Sequence, residues 1–182
     1  MREQVFKYDN HPRETVSWYQ AVAYTRWLTA QYRAARLLAE GWEIRLPTEQ
    51  EWESAARYPD GRVFVWGNEY VSGYANIDET SSKVGTHYLR RTSAVGIYPQ
   101  GRHPMTDLHD LSGNVWEWCL NKYNEPEDAD LSGTDVRVRR GGSWFNLVQV
   151  ARAASRGSVN PNNGDWFVGF RVCCAPIKSA DR

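Results

Sequence analysis

Residues 141–172 read GGSWFNLVQVARAASRGSVNPNNGDWFVGFRV, near the C-terminal end of a chain of 182 residues. This stretch begins with Gly-Gly-Ser-Trp and ends with Gly-Phe-Arg-Val. The 24 residues between these ends, 145–168, contain no Lys, Glu or Cys and follow no clear period. Valines and arginines alternate in "DVRVRRGGSW" (135–144), which predicts a strand, and "FVGFRVCCA" (167–175) predicts a last strand. The stretch is therefore expected to be an irregular segment between two strands.

Two helices are predicted upstream of this segment. The first begins in "SWYQAVAYTRWLTAQYRAARLL", where Ser17 and Gln20 have the spacing of a capping box and apolar residues follow at helical intervals. Gly41 is expected to end that helical region. The second helix begins in "LPTEQEWESAARYPDG", where Thr48 and Glu51 repeat the capping box.

The remaining middle of the chain, residues 62–135, lacks a helical period. Short apolar pieces alternate there with Gly, Pro, Asn and Asp, which is typical of loops. Two early helices followed by loops and strands predict an α+β fold. At 182 residues, a single domain over residues 1–182 is expected.

Composition excludes several classes of partner. The 22 basic and 22 acidic residues cancel, so nucleic acid is not expected as the main partner. No apolar run reaches the roughly 18 residues of a membrane span. The polar N-terminal residues do not resemble a secretory signal, so a cytoplasmic location is expected, although Met1 need not be the natural start. Three cysteines cannot all pair within the chain, which favours a reducing compartment.

Four phrases in this order resemble one family: "VSWYQAVAYTRWLT", "RLPTEQEWESAAR…VWG", "LHDLSGNVWEW" and "RRGGSW…GFRV". They are similar to the formylglycine-generating-enzyme (sulfatase-modifying factor) family over about residues 11–174. The resemblance implies a C-type lectin-type fold, in which two helices pack around a small twisted antiparallel sheet with long ordered loops on one side.

The enzymes of that family oxidise a cysteine of a sulfatase with a pair of copper-binding cysteines that follows Gly-Gly-Ser-aromatic. The corresponding positions in this chain are Val148 and Ala153. Cys119, Cys173 and Cys174 lie outside that stretch and do not replace the pair. No copper and no catalytic residue are therefore predicted, because thiolate chemistry requires the thiols. A sulfatase-modifying, oxidase-like enzyme remains an alternative.

The resemblance also implies structural calcium, a hard cation that prefers oxygen ligands. The first expected site uses side-chain or carbonyl oxygens from the "DLSGNVWE" phrase, and the second begins in "ANID". The predicted ligands of the two sites are, in order, Asp110, Gly113, Val115 and Glu117, then Asn76 and Ile77. The alternative for the first site is a cation-free turn, in which polar side chains bond to backbone amides.

Residues 145–168 mix aromatic side chains with amides and hydroxyls, a chemistry found in recognition loops. Together with the missing cysteine pair, this resembles the variable proteins of diversity-generating retroelements. Those proteins carry a variable region between Gly-Gly-Ser-Trp and Gly-Phe-Arg. Residues 141–172 are thus the candidate variable region, and its predicted contact residues are Phe145, Asn146, Val148, Gln149, Ala151, Ser155, Ser158, Asn160, Asn162, Asp165, Trp166 and Phe167.

The predicted function is therefore non-catalytic binding of a protein or other macromolecule through this surface. A non-variable regulatory binding domain of the same family is a second alternative. A monomer is favoured, and the predicted core contains six tryptophans: Trp18, Trp27, Trp52, Trp116, Trp118 and Trp144.

Overall fold

The computed structural model describes residues 3–177. The single domain predicted over 1–182 thus includes residues 1–2 and 178–182, which lie outside the described part of the chain. Three α-helices are present there: α1 (Trp18–Ala34), α2 (Glu49–Arg57) and the single-turn α3 (Glu79–Ser82), with a short 3-10 helix at Pro99–Gly101. In residues 3–177, no helix combines the length and apolar character needed to cross a membrane.

Both predicted capping boxes are confirmed. The Ser17 hydroxyl accepts a hydrogen bond from the Gln20 backbone, and the Gln20 side chain accepts one from the Ser17 backbone. Thr48 and Glu51 make the same reciprocal pair at the start of α2. These bonds satisfy backbone donors that the first helical turn leaves without partners. The end of α1 is not set by Gly41, since the helix stops at Ala34.

Six strands form two sheets: β1 (Trp42–Arg45), β2 (Trp116–Lys122), β3 (Arg137–Arg140), β4 (Arg156–Val159), β5 (Val168–Gly169) and β6 (Cys173–Pro176). One sheet has the order β4-β3-β2-β5, with β2 and β5 parallel and the other pairs antiparallel. The other sheet pairs β1 with β6 in antiparallel fashion. The α+β prediction is confirmed. The single last strand predicted at 167–175 is wrong in detail, because β5 and β6 belong to different sheets.

Tryptophans fill the core, with one exception to the prediction. Trp18, Trp52, Trp116, Trp118 and Trp144 are each at most 5% exposed, whereas Trp27 is 54% exposed. The buried positions of α1 recur every three or four residues, and Trp27 lies off that buried face. Trp27 is thus a surface residue of the helix.

Two arginines of β3, Arg137 and Arg140, are fully buried. Arg137 donates to the carbonyl oxygen of Leu120 at 2.9 Å, and its guanidinium lies 4.0 Å from the centre of the Trp18 ring. Arg140 donates to the carbonyl oxygen of Ala154 at 2.8 Å. Both arginines have no exposed surface. Their hydrogen bonds to backbone carbonyls tie the ends of irregular segments to the sheet, which offsets the cost of burying the charge.

Candidate ligand-binding site

Two adjacent glycines set the direction in which residues 145–168 leave β3. Gly141 and Gly142 have φ angles of 92° and 72°, in the left-handed region that favours glycine. A Cβ on Gly142 would lie 3.0 Å from the carbonyl oxygen of Val150, and one on Gly141 would lie 3.2 Å from the Trp52 ring. The Gly-Gly pair therefore allows both the turn and the close approach of the returning chain.

Asn146 fastens the start of the segment. Its Oδ1 accepts hydrogen bonds from the Ser143 backbone at 3.0 Å and from the Ser143 hydroxyl at 2.8 Å. Its backbone carbonyl accepts a hydrogen bond from the Asp78 backbone at 3.0 Å. Asn146 was predicted as a contact residue, and the structure shows that its half-buried side chain also holds the loop in place.

Backbone hydrogen bonds fix the rest of the segment to distant parts of the chain. The Val148 amide donates to the Ser82 hydroxyl at 2.9 Å, and the Trp18 amide donates to the carbonyl oxygen of Pro161 at 3.0 Å. Near its end, the carbonyl oxygen of Asp165 accepts from the Thr15 amide at 3.2 Å. The segment is thus ordered, because its backbone is bonded to β3, to helices and to loops outside it. The expectation that it is irregular throughout is wrong at β4 (Arg156–Val159), which pairs with β3.

The aromatic side chains of the segment form an aromatic patch, defined as Phe145, Trp166 and Phe167. Phe145 is 50% exposed and Trp166 is 40% exposed, while Phe167 is half-buried. The rings of Phe145 and Phe167 stack with centroids 6.0 Å apart. Trp144 is buried beneath the patch, and the centroids of its ring and the Trp166 ring are 4.9 Å apart. A buried indole therefore supports an exposed aromatic surface.

An open pocket of about 530 Å³ lies beside the aromatic patch, a size typical of ligand sites. We call it the Arg139 pocket. It is lined by Trp116, Arg139, Phe145, Asn146, Gln149, Val150, Ser155, Arg156, Gly157 and Phe167. Five predicted contact residues meet in this lining: Phe145, Asn146, Gln149, Ser155 and Phe167.

The other predicted contact residues lie outside this pocket. Ser158, Asn160, Asn162 and Trp166 are exposed, and Val148 and Asp165 are half-buried. Ala151 is fully buried and packs in a small apolar cluster with Ala75 and Ile77. Including Ala151 in the contact set was therefore wrong, since its side chain has no surface to offer a ligand.

Arg139 is a pocket residue that the sequence did not identify. Two of its guanidinium nitrogens, Nε and Nη1, are buried without a hydrogen-bond partner. The guanidinium lies 4.7 Å from the centre of the Trp116 ring and 5.6 Å from that of Phe167. Burial lowers the pKa of Arg139 below its ordinary value. The valine–arginine alternation of β3 marks Arg139 as a strand residue but does not indicate the aromatic rings around it.

The opposing strand leaves room for the Arg139 side chain. Gly157 of β4 pairs with Arg139 in the sheet register. A Cβ on Gly157 would lie 2.8 Å from Nε of Arg139 and 3.3 Å from the Trp116 ring. The absence of a side chain at Gly157 therefore lets the guanidinium lie across β4 and reach the pocket.

Two of the cysteines, Cys119 and Cys173, are unsuited to thiolate chemistry. Cys119 is fully buried, and this burial raises its pKa well above the ordinary value. Burial also raises the pKa of Cys173 to about 11. Neither thiol is therefore appreciably ionised near neutral pH. Cys174 is exposed on β6, the strand that pairs with β1. Val148 and Ala153, where the resemblance places a cysteine pair, carry no sulfur.

Two of the four predicted calcium ligands of residues 110–117, the Asp110 and Glu117 carboxylates, are already engaged with other groups. The Glu117 carboxylate accepts hydrogen bonds from Nε and Nη2 of Arg171 at 2.5 and 2.7 Å, and from the Trp52 indole at 2.7 Å. The Asp110 carboxylate accepts one from the Gly96 amide at 2.7 Å, and burial raises its pKa. Because Arg171 already supplies a positive charge here, this set does not fit a calcium ion in the observed arrangement.

Asn76, predicted for the second calcium site, has an unused oxygen. Its Nδ2 donates to the Arg91 carbonyl at 3.0 Å and to the Ser93 hydroxyl at 3.1 Å. Its Oδ1 is buried without a hydrogen-bond partner. The Ile77 side chain beside it is buried. A hard cation would satisfy the unpaired oxygen of Asn76, so this residue fits the role of a ligand.

Comparison of the chain with known proteins gives one family. The sequence profile described as "Sulfatase-modifying factor enzyme 1-like domain" matches residues 2–176. The chain is 33% identical over 168 residues to "Inactive C-alpha-formylglycine-generating enzyme 2" of Mus musculus, which covers 86% of this chain and 46% of that protein. It is 31% identical over 182 residues to "Formylglycine-generating enzyme" of Streptomyces coelicolor, covering 89% of this chain and 52% of that protein. The chain therefore spans about half the length of the curated relatives it matches.

Among solved structures, "Treponema denticola variable protein 1" superposes with a TM-score of 0.72 and 21% sequence identity. The match covers 97% of this chain and 76% of that protein. At this identity the similarity establishes a shared fold.

Proposed function

This chain belongs to the sulfatase-modifying factor enzyme 1-like domain family, with the α+β, C-type lectin-type fold predicted from the sequence, and on that premise we propose that it is a non-catalytic binding protein. We propose more specifically that it is the variable protein of a diversity-generating retroelement. Its ligand-binding surface comprises the aromatic patch, the Arg139 pocket and the exposed polar residues of 145–168. Its ligand is a protein or another macromolecule.

The observation that carries this proposal is the way residues 145–168 are held. Val148, Pro161 and Asp165 each form a hydrogen bond to a residue outside the segment. In each bond the atom that the segment contributes is a backbone amide or carbonyl. Such bonds do not depend on which side chain is present, so exposed side chains in the segment are free to change. An ordered backbone also lowers the entropic cost of binding.

The loss of the cysteine pair supports binding over oxidation. Val148 and Ala153 stand where the resemblance places the two copper ligands, and the described cysteines include none in this segment. One similar protein, "Inactive C-alpha-formylglycine-generating enzyme 2" of Mus musculus, carries the word "inactive" in its own name. The surface retains large exposed rings, which supply much of the affinity at protein interfaces.

A display experiment tests whether the surface tolerates diversity. A library with Phe145, Gln149, Ser158, Asn162 and Trp166 randomised is displayed on phage and panned against several unrelated proteins. We expect specific binders, and we expect most unselected members to melt within about 10 °C of the parent, since exposed substitutions change stability little. A control library randomises Ala151 and Ala153, both fully buried, and most of its members are expected to unfold.

Two results would contradict the proposal. The exposed-position library could unfold as often as the buried-position library, or it could fold and yield no binders against any target. Sequencing the DNA around the coding region tests the retroelement itself. A near-copy of the DNA for residues 141–172 that differs mainly at adenines, beside a reverse transcriptase gene, is expected; its absence would favour the non-variable regulatory domain.

We also propose that calcium binds at Asn76 and Ile77 as a structural ion. The support is the buried, unpaired Oδ1 of Asn76. The ion would supply positive charge to backbone and side-chain oxygens there and would take no part in a reaction.

A further inference from the structure

The Arg139 pocket contains a charged group that the protein itself leaves without acceptors. Buried N–H groups without hydrogen bonds are rare, because each costs free energy relative to the hydrated unfolded chain. Nε and Nη1 of Arg139 are both in this state. The aromatic rings of Trp116 and Phe167 offset part of the cost by cation–π contact. They cannot accept two directed hydrogen bonds as an oxyanion does.

The nearby charged residues do not supply the missing acceptors. Arg156, the other arginine that lines the pocket, is itself a donor and cannot accept from Arg139. Its guanidinium donates two hydrogen bonds of 2.7 Å to the Glu49 carboxylate, so that carboxylate is already paired. Asp165 attracts Arg139 electrostatically and forms neither a hydrogen bond nor an ion pair with it. Two buried nitrogens of Arg139, in the wall of the pocket, therefore lack an acceptor, and the Asp165 carboxylate lies at longer range.

We propose that the Arg139 pocket binds a carboxylate that is attached to an apolar or aromatic group, as in an acidic side chain beside an apolar residue of a protein partner. This inference rests on the proposed function and names the chemistry of its ligand. The fork of a guanidinium matches the two oxygens of a carboxylate. Nε and Nη1 are buried against the Trp116 and Phe167 rings, so binding requires the Arg139 side chain to rotate towards the pocket. The apolar part would pack on Phe145 and Phe167.

Charge favours a carboxylate over a phosphate. One unpaired guanidinium neutralises a single negative charge, whereas a phosphate monoester carries nearly two at neutral pH. The other guanidinium in the pocket is committed to Glu49, and the nearby Asp165 repels a second negative charge. Inorganic phosphate is therefore expected to compete poorly with a carboxylate at equal ionic strength.

A matched pair of probes tests the proposal. The chain, labelled with ¹⁵N, is titrated with 3-phenylpropionate or with the uncharged 3-phenylpropionamide at constant ionic strength, and the Arg139 Nε–H and Trp116 indole signals are followed by NMR. We expect the acid to bind about tenfold or more tightly than the amide, the ratio expected for hydrogen bonds to a charged group. Inorganic phosphate forms a third arm.

Two variants and one control assign the effect to Arg139. Arg139→Gln is expected to reduce the acid-to-amide ratio to about one. Arg26→Gln removes one positive charge, as Arg139→Gln does, from an exposed position of α1 outside residues 145–168, and should leave the ratio unchanged. If Arg139→Gln fails to fold, Gly157→Ala tests the same point. Its Cβ would lie 2.8 Å from Nε of Arg139, so it should displace the guanidinium and lower the ratio without changing charge.

The inference is overturned if the wild-type chain binds both probes equally, if Arg139→Gln keeps the preference, or if Arg26→Gln loses it. Stronger competition by phosphate than by the carboxylate would also overturn it. These failures are separable from failure of the proposed function. Library binders recovered without a carboxylate preference would leave the proposed function standing. If the chain prefers the carboxylate but the library yields no binder, the proposed binding of a protein partner is wrong and the carboxylate preference of the pocket stands.

Discussion

At the scale of single residues, the neighbouring rings of Trp144 and Trp166 have opposite environments. Their centroids are 4.9 Å apart, yet Trp144 is 2% exposed and Trp166 is 40% exposed. The Phe6 ring packs edge-on against Trp144 with ring centroids 5.8 Å apart, and this contact joins the N-terminal residues to this region. The sequence predicted Trp144 as core and Trp166 as contact, and their exposures agree with that division.

This difference gives a prediction at the residue scale. Trp144→Ala is expected to lower the free energy of unfolding by about 3–5 kcal/mol, because it leaves a cavity in the support of the aromatic patch. Trp166→Ala is expected to lower it by less than about 1 kcal/mol, because its ring is partly solvated already. Urea denaturation of both variants checks this. Equal losses would show that Trp166 is a core residue and would remove it from the contact surface.

At the scale of elements, α2 and β1 are joined by one carboxylate. Glu51 completes the capping box of α2 by accepting a hydrogen bond from the Thr48 amide at 2.8 Å. The same carboxylate binds both terminal nitrogens of Arg45, in β1, at 2.7 Å each. The Arg45 hydrogen bonds hold the pKa of Glu51 at about 2. A local helix cap thus also fixes the position of a neighbouring strand.

The lowered pKa of Glu51 gives a pH-dependent prediction. Because the folded-state pKa is below the unfolded value of about 4.3, the stabilisation is fully present above pH 4.3. It is lost as the pH falls towards about 2. Glu51→Gln keeps an oxygen for the cap but loses the ion pair. We expect it to cost about 1 kcal/mol or less at pH 7, since the pair is partly exposed to solvent, and progressively less as the pH falls to about 2 and below.

Chemical denaturation of both proteins at several pH values measures this difference. Glu53→Gln is a suitable comparison, because it removes a carboxylate of the same helix that pairs with Arg57 and Arg140 and leaves the cap intact. A gap between wild type and Glu51→Gln that stays constant from pH 7 to pH 2 would contradict the ionic contribution of Glu51.

At the scale of the whole molecule, segments far apart in sequence meet around Asn76. Its carbonyl oxygen accepts a hydrogen bond from the Asn114 amide at 2.9 Å, and its Nδ2 reaches Arg91 and Ser93. The Asn146 carbonyl binds the nearby Asp78 amide, so this region also supports the start of residues 145–168. An ion at Asn76 would therefore stabilise the loops that carry the binding surface.

Calcium is accordingly expected to raise the melting temperature of the chelator-treated protein. At 100 times its dissociation constant the ion would add about 2.7 kcal/mol, or roughly 5–10 °C for a chain of this size. Magnesium at the same concentration is the control and should have a smaller effect, because it demands a tighter octahedral site. Asn76→Ala should remove the response. A response that persists in this variant would place the ion elsewhere, and no response in the wild type would contradict the proposal.

Several features could be predicted because they depend on residues close in sequence. Capping boxes join positions three residues apart, so Ser17 with Gln20 and Thr48 with Glu51 predict where α1 and α2 begin. By contrast, β2 could not be recognised as a strand. Six of its seven residues are buried, so the strand has no alternation to separate it from the surrounding loops.

By itself, the sequence determined the helix starts and the absence of cysteine where an oxidase would need it. Only the tertiary structure decided that Ala151 is buried, that Trp27 is exposed and that Arg139 lacks acceptors. The reason is the range of the interactions. Burial and pairing depend on contacts between distant positions, as when the Trp118 indole donates to the Val16 carbonyl 102 residues away, and a local pattern contains no information about them.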